Sequence, residues 1–207
     1  MKTFLFQGDS ITDADRNRDD IENLGLGYPN IVASKYLSEC VNEYKFINKG
    51  ISGNRIVDLY ARIKIDLINL KPDYLSILIG INDVWHEIQS QNGVDNEKFK
   101  RILSMLIEEI KEALPDIKII MLEPFVLKGP ATENNWDEFR TETALRSKSV
   151  KEVSEKYNLS FVSLQDKFDE ATKNTETTYW LRDGVHPTPA GHGLIAKELA
   201  EEFEKIK

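Results

Sequence analysis

Five short apolar runs recur along the chain, separated by longer stretches of helical period, and this alternation limits the fold more tightly than any other feature. Thr3–Gln7, Tyr44–Asn48, Tyr74–Ile79, Ile117–Leu122 and Leu159–Val162 read as strands. Their hydrophobicity is nearly continuous, as expected of parallel strands covered on both faces. Tyr28–Cys40, Ile56–Leu70, Glu97–Leu114, Phe139–Tyr157 and Pro189–Ile206 read as helices. In the third of these, Ile102, Leu103, Leu106, Ile107, Ile110 and Leu114 form an i, i+3/i+4 stripe, and Pro115-Asp116 ends it. The βαβαβαβαβα pattern predicts a three-layer α/β/α domain, flavodoxin-like, with a parallel five-stranded sheet in the order 2-1-3-4-5. At 207 residues, with no repeat and no Pro/Gly/Ser-rich linker, residues 1–207 are expected to form one domain.

Sheets of this kind hold ligands beyond the carboxyl ends of their strands. Ile11–Leu26, Val84–Asn96 and Glu123–Trp136 read as long loops on that edge, and long loops crowding one edge predict a walled pocket.

Charge narrows the choice of partner. Asp plus Glu number 35 against 27 Lys plus Arg, a formal charge of −8. A field of that sign repels phosphate backbones and anionic lipid heads, so neither nucleic acid nor a membrane surface is expected. Cys40 is the only cysteine, which excludes an intramolecular disulfide and a zinc cluster of paired cysteines. The longest nearly apolar stretch, Tyr74–Ile81, is too short to span a bilayer. Met1–Phe6 is shorter than a signal peptide's apolar region, and no small-residue cleavage site follows it. A cytoplasmic location is expected, and homo-oligomerisation is left open.

Four short blocks carry candidate chemistry. Gly8-Asp9-Ser10-Ile11-Thr12 follows the first strand, placing Ser10 at the carboxyl edge; taken alone, it reads equally as a turn or helix cap. Asp183-Gly184-Val185-His186-Pro187 offers a base and an acid three residues apart, as a serine nucleophile requires, although alone it also suits a solvated turn. Gly53, in Asn48–Asn54 after strand two, and Asn82, in Gly80-Ile81-Asn82-Asp83 after strand three, are suitable donors to an oxyanion. Singly, they read as a backbone glycine and an Asx turn. Gly50–Asn54 misses the G-x-S-x-G elbow, with Asn in place of its last Gly.

In this order the four blocks resemble the SGNH hydrolases, the GDSL-type esterases and lipases, over nearly the whole chain from Phe6 to the last helix. The one departure in the first block is Ile11, where the family name has Leu. The resemblance implies Ser10 as nucleophile, His186 as base and Asp183 as its orienting acid. It also implies an oxyanion hole from the Ser10 and Gly53 amides and the Asn82 side chain. Asn48–Arg55, Lys71–Trp85 and His186–His192 are similar to intracellular acetyl xylan esterases of the same superfamily, which implies an acetylated xylo-oligosaccharide or similar sugar as substrate. No metal and no organic cofactor is implied.

Two rivals stand beside that expectation. One is a lysophospholipase or thioesterase with the same machinery, which needs an apolar channel that the polar loops Asp13–Asn23 and Ser90–Lys98 do not suggest. The other is a non-catalytic carbohydrate-binding protein, which has no reason to keep Ser10, Asp183 and His186 together. Asp9, Trp85 and Trp180 are the expected substrate contacts, the tryptophans either stacking on a sugar or covering the core. His192 reads as a packing or hydrogen-bonding residue of the last helix, and His86 as a loop residue within reach of substrate but without an adjacent acid in register except Asp83. The acidic run within Asp13–Glu22 lacks metal-ligand spacing and reads as a solvated loop. Cys40 reads as a packing residue.

Overall fold

The computed structural model describes residues 1–207. Strands β1 (Lys2–Gly8), β2 (Tyr44–Asn48), β3 (Tyr74–Leu78), β4 (Lys118–Leu122) and β5 (Ser160–Val162) form one parallel sheet in the order β2-β1-β3-β4-β5, as the alternation predicts. The helices are α1 (Ser10–Asp13), α2 (Tyr28–Glu39), α3 (Ile56–Ala61), α4 (Ile63–Asp66), α5 (Ile81–Ser90), α6 (Asn96–Ala113), α7 (Trp136–Tyr157), α8 (Gln165–Ala171), α9 (Thr177–Trp180) and α10 (Pro189–Ile206).

Strand alternation divides the core into two layers. Phe4, Phe6, Phe46 and Tyr74 point to one face, where they meet Tyr28 and Tyr36 of α2 and Phe203 of α10. Phe203 stands edge-on to Phe4 with ring centroids 4.9 Å apart, a preferred aromatic geometry. Leu5, Ile47, Leu75, Ile77, Ile119 and Met121 point to the other face, against Leu103, Ile107 and Ile110 of α6 and Val150 and Val153 of α7. Emptying either layer is costly. Phe203→Ala removes a fully buried ring, worth about 3–5 kcal/mol. Asp95 starts α6 by accepting the Lys98 N–H at 2.9 Å, and Thr188 starts α10 by accepting the Gly191 N–H at 3.3 Å.

Two expectations fail. The stretch Val84–Asn96 is not a loop, because α5 begins directly after Gly80 and runs to Ser90. Ile81, Val84, Trp85 and Ile88 are an i, i+3, i+4, i+7 set that packs this helix inward. Nor is Ile56–Leu70 one helix. It breaks at Arg62, whose φ of −110° and ψ of 8° leave the helical region, and a 3₁₀ turn, Ile68–Leu70, completes the segment.

Candidate active site

Ser10 leaves β1 as the first residue of α1, where its N–H has no acceptor in a preceding turn. Its Oγ lies 3.0 Å from His186 Nε2, and His186 Nδ1 lies 2.7 Å from Asp183 Oδ2. The other oxygen, Asp183 Oδ1, accepts the N–H groups of Val185 at 2.9 Å and His186 at 2.8 Å. Burial alone would raise the Asp183 carboxyl, but the imidazole and these two amides outweigh it and hold it down at about 2. The bond from Asp183, opposed by burial, raises the His186 imidazole above its ordinary value. With Asp183 accepting at Nδ1, the neutral ring keeps its Nε2 lone pair for the Ser10 hydroxyl.

Backbone hydrogen bonds hold the Asp183–His186 loop. Arg182 N–H donates to the His186 carbonyl at 2.9 Å beside a Leu181–Pro187 bridge. Leu127 N–H donates to the Gly184 carbonyl and Ala131 N–H to the Asp183 carbonyl, each at 2.9 Å. Gly184 has φ +101°, and a Cβ there would sit 2.5 Å from the Leu127 carbonyl oxygen, so this turn needs glycine.

Opposite lie the expected oxyanion donors. Gly53 has φ +81° and nothing within 4 Å of where a Cβ would stand, so its backbone faces open space. Its N–H donates to no protein group. Asn82 is in the first turn of α5, and one N–H of its carboxamide donates to the Asn54 carbonyl at 3.1 Å, leaving the other free. Since β2 and β3 both flank β1, the fold brings Gly53 and Asn82 to either side of Ser10.

Ser10 and His186 line a cavity of about 430 Å³, with Asp15, Ser52, Arg182 and His192 as further polar groups on its wall. His192, 7% exposed on α10, packs on Tyr28 and hydrogen-bonds as the sequence suggests, but the sequence does not anticipate its place on the cavity wall. Burial pushes its pKa down to about 4, so the ring is neutral near pH 7. Its Nδ1 accepts the Tyr28 N–H at 3.2 Å, leaving Nε2 to carry the proton. The available signal was its place in His186–His192, at the helix start nearest the catalytic edge.

The expected substrate contacts fare worse. Asp9 is 1% exposed; its Oδ1 caps α1 by accepting the Ile11 N–H at 3.0 Å, and its Oδ2 has no partner. Burial raises this carboxyl to about 7. It is not on the cavity wall. Trp85 packs against the His186 ring at a centroid distance of 5.6 Å and edge-on to Phe139, and is not a wall residue. Trp180 also lies off the wall, its indole N–H donating to the Ala171 carbonyl at 3.2 Å and Thr175 Oγ1 at 2.7 Å. His86 sits on α5 near Arg55 and Asp58. The first acid of the Asp13–Glu22 run is not solvated: Asp13 is 2% exposed, pairs with Arg18, and accepts the Ser52 N–H at 3.0 Å. Cys40 ends α2, half-buried against the aromatic layer.

Comparison with known proteins bears on this geometry. Residues 6–194 match the model of the GDSL-like lipase/acylhydrolase family. An acetylxylan esterase from Geobacillus stearothermophilus is 37% identical, the match covering 98% of this chain and 95% of that protein. The crystal structure of an acetylxylan esterase from the same organism superposes with a TM-score of 0.86 at 36% identity, over 97% of this chain and 93% of that one. A GDSL-like lipase from Parabacteroides merdae superposes with a TM-score of 0.93 at 37% identity, over 98% and 95% of the two chains.

Proposed function

The chain belongs to the GDSL-like lipase/acylhydrolase family and is a carboxylic ester hydrolase; from that premise we propose that it removes acetyl groups from short acetylated xylo-oligosaccharides, with Ser10 as nucleophile. The observation that carries this reading is the unbroken hydrogen-bond chain Ser10–His186–Asp183, whose first two members line a cavity of about 430 Å³.

Ser10 Oγ attacks the acetyl carbonyl carbon while His186 Nε2 takes the hydroxyl proton. The carbonyl electron pair moves onto oxygen, which the Ser10 and Gly53 N–H groups and the free N–H of Asn82 receive. Collapse breaks the bond to the sugar oxygen, and His186 returns the proton to that leaving alcohol. Water, deprotonated by the same imidazole, then attacks the acetyl carbon; the bond to Ser10 Oγ breaks, acetate leaves, and His186 returns the proton to Ser10 Oγ. Asp183 stays ionised throughout, holding the ring's orientation and stabilising its charged form.

The small acyl group follows from the cavity. Only two of its ten lining residues are hydrophobic, which suits acetate and sugar hydroxyls and offers no channel for a long chain. Similarity to the Geobacillus acetylxylan esterase supports the sugar. Hydrolysis of p-nitrophenyl esters from two to twelve carbons, with product analysis on acetylated xylo-oligosaccharides, tests both parts. A rate peaking at long acyl groups would replace this substrate with a lipid. The reading includes action as one domain in the cytoplasm, supported by the unpaired Cys40; cell fractionation tests the location. No helix is long and apolar enough to cross a membrane.

A further inference from the structure

The three proposed oxyanion donors stand on three separate segments. Ser10 follows β1, Gly53 follows β2, and Asn82 opens the helix after β3. Such donors must converge to within about half an ångström to act together. Past β2 the backbone ladder to β1 continues only through the Lys49 and Ile51 N–H groups, which donate to the Phe6 and Gly8 carbonyls at 2.8 and 3.1 Å, so Gly53, Asn54 and the Asn82 carboxamide need further bracing.

One guanidinium reaches across them. Arg62 Nη2 donates to the carbonyl of Gly8, the last residue of β1, at 3.2 Å. Its Nη1 donates to the carbonyl of Lys49, just past β2, at 2.8 Å, and to Asp66 Oδ2 at 3.1 Å. Its Nε donates to Asn54 Oδ1 at 2.7 Å. Asn54 directly follows Gly53, and its own carbonyl accepts the Asn82 carboxamide at 3.1 Å. Each oxyanion donor is thus one or two residues, or one hydrogen bond, from a group that Arg62 holds. The planar fork fixes these directions together, which a flexible ammonium cannot do. The break between α3 and α4 falls at this same residue. Arg62 is mostly buried and lines none of the cavity around Ser10.

We infer that Arg62 is a positioning residue for the oxyanion hole, locking the Gly53–Asn54 segment to the end of β1 and, through Asn54, orienting the Asn82 carboxamide. The inference rests on the oxyanion assignment above and extends it to a residue that never meets substrate.

The test uses p-nitrophenyl acetate and rates normalised to sites titrated with a serine-directed phosphonate, so that misfolded protein does not count. Arg62→Lys keeps the charge and its attraction to Asp66 but cannot span three further acceptors. Arg62→Lys and Arg62→Met are expected to lower kcat on the order of 10- to 100-fold, as misplacement of catalytic groups does, with KM changed less than about threefold. The acidic limb of the pH profile stays in place, because Asp183 and His186 are untouched. In an Asn82→Ala background the Arg62→Met loss shrinks, since part of what it positions is already gone. Unchanged kcat per titrated site, or a loss of full size in the Asn82→Ala background, would overturn the inference. Should the Arg62 variants fail to fold, Asn54→Ala removes the Nε link alone; a several-fold loss of kcat supports the role and an unchanged kcat refutes it. Asn82→Ala by itself separates the two levels. If it leaves kcat intact, the oxyanion assignment is at fault; if it lowers kcat while the Arg62 and Asn54 variants do not, only the positioning role falls.

Discussion

Asp183 and His186 lie three residues apart on one loop, whereas the proposed oxyanion donors come from three strands, and the two halves are held by different means. Main-chain hydrogen bonds from Arg182, Leu127 and Ala131 fix the acid–base loop. On the other half, main-chain bonds from Lys49 and Ile51 to Phe6 and Gly8 reach only the near end of the segment, and buried side chains fix the rest. Arg62 ties Gly8, Lys49 and Asn54 together, Asn48 donates to the Thr12 and Leu24 carbonyls, and Asp83 accepts the Ile56 N–H. Main-chain bracing survives most substitutions, because every residue but proline supplies the same groups. Side-chain bracing fails with the loss of one residue. Sensitivity on the acid–base side should therefore be confined to the proposed triad, its glycine turn and the Trp85 ring packed on His186, while on the oxyanion side it spreads to residues remote from substrate.

The largest effects fall on the triad. Ser10→Ala or His186→Ala should each lower kcat by on the order of 10⁴ to 10⁶ with the fold intact. Circular dichroism and turnover together check this, and a serine-directed phosphonate should label Ser10 but not Ser52. Label on another serine would remove Ser10 from its role. Asn82→Ala should cost less, roughly 10²–10³ in kcat, the usual penalty for one oxyanion donor.

Two glycines sharpen the contrast through stability. Gly184→Ala meets the Leu127 oxygen at 2.5 Å and Thr132 Oγ1 at 2.6 Å on top of a positive φ. It should cost roughly 2–5 kcal/mol, combining overpacking with backbone strain. Gly53→Ala has the positive φ but open space around it, so about 1–2 kcal/mol is expected. Denaturant melts of the two variants measure the difference, and equal losses would mean that the acid–base turn is not tightly packed.

Activity and stability should move in opposite directions with pH. In the proposed mechanism His186 accepts the Ser10 proton only when neutral, and its pKa is raised, chiefly by the bond to Asp183. The acidic limb of kcat/KM should therefore lie above the ordinary imidazole value of about 6.5. Burial raises Asp9 to about 7 and Asp83 to about 8, against about 3.9 in an unfolded chain. Between those values the folded state binds more protons than the unfolded state, so stability falls as pH rises from about 4 to about 8. The raised His186 adds to the same fall, its contribution being full below about 6.5 and lost through its folded pKa. Asp183, held at about 2, acts oppositely, its contribution being present above about 3.9 and lost toward pH 2. A Tm that climbs from pH 5 to pH 8 would contradict the protonated state of the two buried acids. Asp83→Asn should flatten the slope.

What the sequence revealed follows the same division. The strands were legible because burial on both faces writes continuous apolar runs, and β2 spans Tyr44–Asn48 as read. Asp183 and His186 were legible because their geometry is local. The α5 helix was hidden because Gly80, Asn82 and Asp83 carry turn chemistry at its start, although the stripe Ile81, Val84, Trp85, Ile88 was present. The break at Arg62 had no local signal, because apolar residues of helical period continue on both sides of it. The acceptors that the Arg62 guanidinium meets there, at the ends of β1 and β2, are distant in sequence. His192 joined the cavity only because the start of α10 abuts Gly27 and Tyr28, where a Cβ on Gly27 would lie 2.8 Å from the imidazole.

The smallest expected effect concerns the cavity wall at Arg182. Arg182 belongs to the acid–base loop through its backbone, but its side chain donates only to the Pro187 carbonyl, at 3.2 Å, and pairs with no carboxylate. Most of its donors are free for a sugar hydroxyl. Arg182→Gln keeps the N–H that holds His186, so kcat on p-nitrophenyl acetate should stay within about twofold of wild type. The KM for an acetylated xylo-oligosaccharide should rise roughly three- to tenfold, the equivalent of one hydrogen bond worth about 1 kcal/mol. Trp85→Ala is the counterpart. Since the ring packs against His186 rather than lining the cavity, its loss should lower kcat on both substrates alike. Should Trp85→Ala instead raise KM for the sugar alone while Arg182→Gln raises neither, the sugar would lie against α5, and the two walls of the site would have to exchange roles.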